Sequence, residues 1–158
     1  MLNLIGTYEV KADAKGRLML PTALKKQLAP VLQEGFVLKR AVFQNCLELY
    51  PMQEWNALSQ KVNALNRFNK KNDAFIRRFN AGVRMVEVDA SGRLLIPKDL
   101  IAIAGISKEV VVNSAIHIVE IWDKDLYEQV IEEASADFAD LAEEVMGDQP
   151  NDAAHGIS

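Results

Sequence analysis

The chain carries one short segment twice, and any fold for it has to satisfy both copies. Residues 10–21 read VKADAKGRLMLP and residues 86–97 read VEVDASGRLLIP, sharing Val, Asp, Ala, Gly, Arg, Leu and Pro in the same order. Two of the differences, Met19 against Leu95 and Leu20 against Ile96, keep the apolar character. A repeat of this kind points to two copies of one structural unit.

The local physics of each copy is readable. Alternating apolar residues flank Asp-x-x-Gly, in which glycine supplies the positive φ that a tight hairpin turn or its adjoining bulge demands. Asp13 and Asp89 are suited to cap the turn through the side chain, and Gly16 and Gly92 close it. Arg17 and Arg93 follow at the mouth of the next strand, where Leu18 and Leu20 alternate with Met19. Pro21 and Pro97 end that strand and suit the first turn of a helix, in PTALKKQL and PKDLIAIAG. Each copy reads as strand, Arg-bearing turn, strand, short helix.

The duplication extends further. Ile5–Ala12 reads as a strand entering the first turn, and Gly35–Arg40 with Asn45–Tyr50 as a second strand pair. Val110–Trp122 repeats that pair, with Glu120, Ile121 and Trp122 where the first half has Glu48, Leu49 and Tyr50. A helix is expected after each, through Trp55, Leu58, Val62 and Leu65 and through Tyr127, Val130 and Ala134. Residues 55–81 read as a helical hairpin broken at Asn66–Asn72, with Asn72 capping a helix that carries Phe75, Ile76 and Phe79 and that Gly82 ends. One last helix is expected from Asp125 to Met146, with Phe138, Leu141 and Val145 on one face and carboxylates on the other; Gly147–Ser158 has the composition of a mobile tail.

At 158 residues and 49% apolar content the chain can bury a real core, and the repeat favours two small halves over one large domain. Cys46 is alone, which excludes an intrachain disulfide and makes a reducing cytoplasm the simplest compartment. Neither a leader-like N-terminus nor an apolar run of membrane-spanning length is present, so the expectation is a soluble intracellular protein. The net charge of −4 conceals a split. Residues 1–93 hold fifteen Lys and Arg against eight Asp and Glu, and residues 94–158 hold three against fourteen, balances of +7 and −11. A basic surface can therefore coexist with an acidic pI.

Catalysis finds little support. His117 and His155 lie at no metal-ligand spacing from Cys46 or from each other, and no phosphate-cradling glycine loop or nucleophile elbow can be assembled. No enzyme and no cofactor is expected.

DAKGRLMLP and DASGRLLIP, with AGISKEV after the second copy, the ELYP and EIWD strand ends and the NDAFIRRF helix, resemble the MraZ family of bacterial transcriptional regulators. The resemblance covers residues 5–145, and a paired Asp-x-x-Gly-Arg at this separation is far more specific than one copy. It implies an α+β fold: duplicated AbrB-like swapped-hairpin β-barrel halves with connecting and C-terminal helices. The implied division is 7–54 and 83–126 for the two DNA-binding domains, 55–82 for a helical connector, 127–146 for a C-terminal helix and 147–158 for the tail. It further implies a ring-shaped homo-oligomer, associated with the nucleoid, that binds double-stranded DNA at repeated promoter boxes. Those boxes would lie upstream of the division and cell-wall gene cluster, including the protein's own promoter. No membrane and no small-molecule substrate are implied.

Carried over by position, the DNA-facing motif falls on Asp13, Gly16 and Arg17 and on Asp89, Gly92 and Arg93. Lys15, Arg17 and Arg93 are then the DNA contacts, and Asp13, Gly16, Asp89 and Gly92 shape the turns. The family often has a basic residue after the helix Leu of the second half; here Ile101 follows Leu100, and Lys25 fills the matching place in the first half. Since Ser91 replaces Lys15, the first copy is expected to contribute more. An Arg after a single hairpin glycine is by itself more often a solvated residue or the partner of the turn Asp. Arg77 and Arg78 read as a solvated helix face or an oligomer contact. The competing class is an antitoxin-like or scaffold interaction module of the same barrel type, using the acidic 125–146 helix to hold a partner.

Overall fold

The computed structural model describes residues 2–147. The chain is mixed α+β, and its contacts divide it into residues 1–124 and residues 125 onward. In the first unit the repeat runs β1 (Thr7–Lys11), β2 (Arg17–Met19), α1 (Thr22–Leu28), a 3-10 segment (Ala29–Glu34), β3 (Phe36–Arg40) and β4 (Leu47–Pro51). A helical pair follows, α2 (Met52–Asn63) and α3 (Lys70–Asn80). The second copy is β5 (Arg84–Val86), β6 (Arg93–Leu95), α4 (Lys98–Ala104), β7 (Glu109–Ala115) and β8 (Ile118–Asp123).

These strands make a six-stranded sheet in the order β1-β7-β8-β4-β3-β5 and a separate two-stranded ribbon of β2 and β6. Exchanging each strand with its counterpart in the other copy reads the sheet order backwards, so a pseudo-twofold axis passes between β8 and β4 and through the ribbon. The registers agree. Glu48 stands opposite Glu120, flanked by Leu47 opposite Ile121 and Leu49 opposite Val119, and Leu18 stands opposite Leu94 in the ribbon. Each half also lends its first strand to the other, β1 pairing with β7 and β5 with β3. All pairings are antiparallel.

The sheet is open rather than a closed barrel, with β1 and β5 at its edges. The turn residues account for this. The hairpin arms part after a single bridge in each copy, Ala12 with Leu18 and Val88 with Leu94, so that β2 and β6 leave the sheet and pair with each other. Leu18, Leu24, Phe36, Leu38, Leu94, Ile96, Leu100 and Ile121 are almost fully buried in one shared core. Neither half has enough apolar surface to enclose that core alone.

The opposite face of β3 and β4 carries Val37, Lys39, Cys46, Glu48 and Tyr50. There Trp55 of α2 stacks on Phe79 of α3 with ring centroids 5.8 Å apart, while Val62, Ile76 and Phe79 form a satellite core. With apolar layers on both faces, β4 is buried almost continuously instead of on alternate residues. Lys39 is 2% exposed, its Nζ donating to the Arg40 carbonyl at 2.6 Å and lying 4.6 Å from the Phe79 ring centre.

Several local expectations need correction. Asn69, not Asn72, caps α3: its side chain accepts from the backbone N–H of Lys71 and of Asn72. Helix α2 starts directly after Pro51 and ends at Asn63, leaving Leu65 beyond it. His117 is a turn residue, not a strand residue, because Ile116 takes φ 66° and closes the β7–β8 hairpin. In the second unit the expected single helix is two, α5 (Lys124–Ser135) and α6 (Phe138–Met146), parted where Asp137 leaves helical geometry at φ −128° and ψ 36°. The expected tail beyond Gly147, including His155, lies outside the described residues.

Candidate nucleic-acid interface

Each Arg turn is built around one carboxylate. Asp13 Oδ1 accepts from the backbone N–H groups of Lys15 and Arg17, both at 2.9 Å, and Oδ2 accepts from Arg17 Nε at 2.8 Å. Backbone bonds close the loop, from Asp13 N–H to the Arg17 carbonyl and from Gly16 N–H to the Asp13 carbonyl. Gly16 sits at φ 85°, the left-handed region open to glycine, and a Cβ there would come within 2.8 Å of the Ile96 carbonyl oxygen.

The second turn repeats this bond for bond. Asp89 Oδ1 accepts from Ser91 and Arg93 backbone N–H at 2.9 Å, and Oδ2 accepts from Arg93 Nε at 3.1 Å. The hydrogen bonds from the following Arg backbone, supported by the guanidinium, hold both carboxyls below the ordinary Asp value, so both are anionic at neutral pH. Each ion pair uses one of five guanidinium donors, which leaves the planar fork able to meet a second acceptor.

The ribbon then brings the two turns onto one face. Arg17 is opposite Leu95 and Met19 opposite Arg93, so these four side chains share a face while Leu18 and Leu94 turn to the core. Diagonal partners in such a ladder stand roughly 7–8 Å apart. Two crossing bonds lock the turns together, Leu20 N–H to the Gly92 carbonyl and Ile96 N–H to the Gly16 carbonyl, each 2.9 Å. Met19 and Leu95 are half exposed on this face, at 50% and 54%. The alternation made them outward-facing; that they flank the Arg pair follows only from the pairing of β2 with β6.

A cleft of about 540 Å³ opens beside the first turn, lined by Asp13, Lys15 and Gly16 and by Lys98, Ile101 and Lys108 of the second copy. Lys25 of α1 lies over the second turn, where a Cβ on Gly92 would meet Nζ at 3.0 Å. Sequence reasoning singled out Lys25 as a basic position without the turn it lies over, and it placed neither Lys98 nor Lys108 at the site, since each reaches a turn of the other half. Arg77 lies elsewhere, on α3, paired with Asp73 at 2.9 Å.

Among the described residues no group of three or more His, Cys, Asp or Glu could hold a metal ion, and no helix is long and apolar enough to cross a membrane. Burial pushes the Cys46 thiol up to about 12, which leaves it protonated at neutral pH.

The family model described as "MraZ protein, putative antitoxin-like" matches twice, over residues 4–78 and 79–149. A Christiangramia forsetii protein named transcriptional regulator MraZ is 72% identical over the whole of both chains, and its namesake from Flavobacterium psychrophilum is 65% identical over the same extent. A more distant namesake from Clostridium tetani is 34% identical over 141 residues, 89% of this chain and 95% of that one. Two family matches that tile the chain as its own repeat does, and relatives that align along its full length, lead to one conclusion: the chain belongs to the MraZ family.

Proposed function

We propose that the protein is a sequence-specific, DNA-binding transcriptional regulator without enzymatic activity, whose DNA-contacting surface is the β2–β6 ribbon with its two Arg turns. The observation that carries this reading is the pair of Asp-anchored arginines on one ribbon face beside two exposed apolar side chains. A two-stranded ribbon fits the major groove, where an arginine fork matches guanine and an apolar side chain suits a thymine methyl. Lys15 reaches for backbone phosphate, while Asp13 and Asp89 orient the arginines and would be repelled by phosphates themselves. The relatives' names support transcriptional regulation as the role.

The architecture behind the surface is a pair of AbrB-type swapped hairpins, residues 7–54 and 83–126, joined through 55–82 and followed by 127–146 and a tail. The exchange of β1 and β5 between halves supports it. The DNA target is a set of repeated boxes upstream of the division and cell-wall genes, the protein's own promoter among them. It acts in the cytoplasm at the nucleoid, as a ring-shaped homo-oligomer. One chain presents a single ribbon, and linking several on one assembly raises the effective concentration at repeated boxes.

Titrating the protein against the DNA upstream of its own gene and against a random duplex tests the reading. Arg17→Ala is expected to weaken operator binding by about 1–3 kcal/mol and to flatten discrimination if Arg17 reads a base. Arg93→Ala does less damage, because Ser91 offers no charge beside it. Full operator affinity in the double variant would leave the turns as structure alone.

A second reading is an antitoxin-like module. The family description carries that term, and α6 exposes Phe138, Leu141 and Val145 on an acidic helix. Light scattering on the full chain and on a chain ending before Asp125 separates the roles: loss of large oligomers on truncation assigns the helix to assembly.

A further inference from the structure

Divided by sequence, the second half is acidic; divided in space, the Arg turns are not. Only three basic residues lie beyond Arg93, and two of them, Lys98 and Lys108, line the cleft at the first turn. Both are exposed, and Asp99, the carboxylate next to Lys98, is engaged by Arg84 at 2.7 Å. The exchange works the other way at the second turn. Lys25 and Ile101 occupy equivalent positions in the two copies, and each lies against the turn of the opposite copy: Ile101 Cδ1 would stand 3.6 Å from a Cβ on Gly16, and Lys25 Nζ 3.0 Å from one on Gly92. The aliphatic stem of Lys25 lies over Gly92 as well, with Cδ and Cε 3.4 and 3.5 Å from where that Cβ would stand. Its ammonium is thereby held at the turn that has Ser91 where the other has Lys15.

We infer that each Arg turn is a composite phosphate-binding surface whose second set of cations comes from the opposite half: Lys98 and Lys108 serve the first turn, and Lys25 serves the second. This rests on the DNA reading above and extends it. The arginines and the ribbon face distinguish sequences, and the trans-supplied lysines hold the sugar–phosphate backbone on either side. Two lysines plus Lys15 at the first turn, against one at the second, make the surface electrostatically lopsided, so DNA is gripped harder at the Arg17 end.

Phosphate contacts have a specific signature: each one lost lowers affinity for all duplexes alike and reduces the slope of log affinity against log salt by about 0.9. The test uses the full chain, titrated across a salt series against the upstream duplex and a random duplex. Lys98→Ala with Lys108→Ala is expected to reduce the slope by about two units per engaged subunit, and Lys25→Met, which keeps the stem that packs on Gly92, by about one. Lys25→Arg restores the wild-type slope, and Ile101→Lys adds about one unit at the first turn. Lysine variants that bind both duplexes with unchanged affinity and slope, while Arg17→Ala with Arg93→Ala loses the operator, would overturn this inference and leave the DNA reading intact. Loss confined to the operator would also overturn it, by making the lysines base contacts. Full binding by the double arginine variant would remove the DNA reading first and this one with it.

Discussion

Gly16 and Gly92 look interchangeable in sequence, and their φ angles of 85° and 86° agree, yet their surroundings differ. A side chain at Gly16 meets a backbone carbonyl at 2.8 Å, whereas one at Gly92 meets the movable end of Lys25. Both alanine substitutions incur left-handed strain, and only Gly16→Ala adds a clash that the fold must absorb. Gly16→Ala is expected to destabilise the protein by about 2–3 kcal/mol and Gly92→Ala by about 1–2 kcal/mol, read from urea unfolding. Lys39 offers a second residue-scale check. Burial holds its ammonium below the usual 10.5, against the opposing pull of Glu48. Between the folded value and 10.5 the unfolded chain binds more protons, so this group makes stability rise with pH across that window. Cys46, raised to about 12, works in the opposite sense above the ordinary thiol value of 9.0. The difference between wild type and Lys39→Met isolates the lysine: the variant's stability should gain relative to wild type below the window and lose that advantage as pH climbs through it.

At the scale of elements, what the sequence made legible was what is encoded locally. Asp-x-x-Gly-Arg specifies its own turn through bonds spanning four residues, and the strands, the short helices after Pro21 and Pro97 and the duplication followed from it. Choices between equivalent local signals were harder. Asn66 and Asn69 lie in the α2–α3 connection and Asn72 in the first turn of α3, and each makes a hydrogen bond there, Asn72 Nδ2 to the Asn66 carbonyl at 3.1 Å. Only Asn69 has extended backbone with its side chain on two free N–H groups, so Asn69→Ala should cost about 1 kcal/mol in thermal or urea unfolding. Asn72→Ala, which leaves the cap in place, should cost less. The 3-10 segment at Ala29–Glu34 and the break between α5 and α6 carry no comparable marker, and the placement of Lys25, Lys98 and Lys108 against the opposite copy's turn was illegible for a different reason. Their place depends on pairings some seventy-six residues apart, which a turn motif does not contain.

The whole first unit is one cooperative object, because every half-sheet is completed by the other half. Residues 1–82 alone would leave β3 without β5 and β1 without β7. Two such half-chains can supply each other, since an isologous twofold pairing is what the pseudo-twofold reproduces within one chain. Light scattering and circular dichroism on residues 1–82 are expected to find either an unfolded monomer or a folded dimer. A folded monomeric half would contradict the shared core.

The same exchange of edge strands governs what happens while the protein is being made. β1 leaves the ribosome well before its partner β7, which begins about a hundred residues later at Glu109. At roughly 5–20 residues per second, the first Arg turn waits on the order of 5–20 s for the strand that anchors it. During that interval the nascent chain exposes an unpaired β3 edge and the apolar surface of Phe36 and Leu38. A second nascent chain on the same messenger carries a matching first half, so neighbouring ribosomes offer each emerging half a partner before its own has been synthesised.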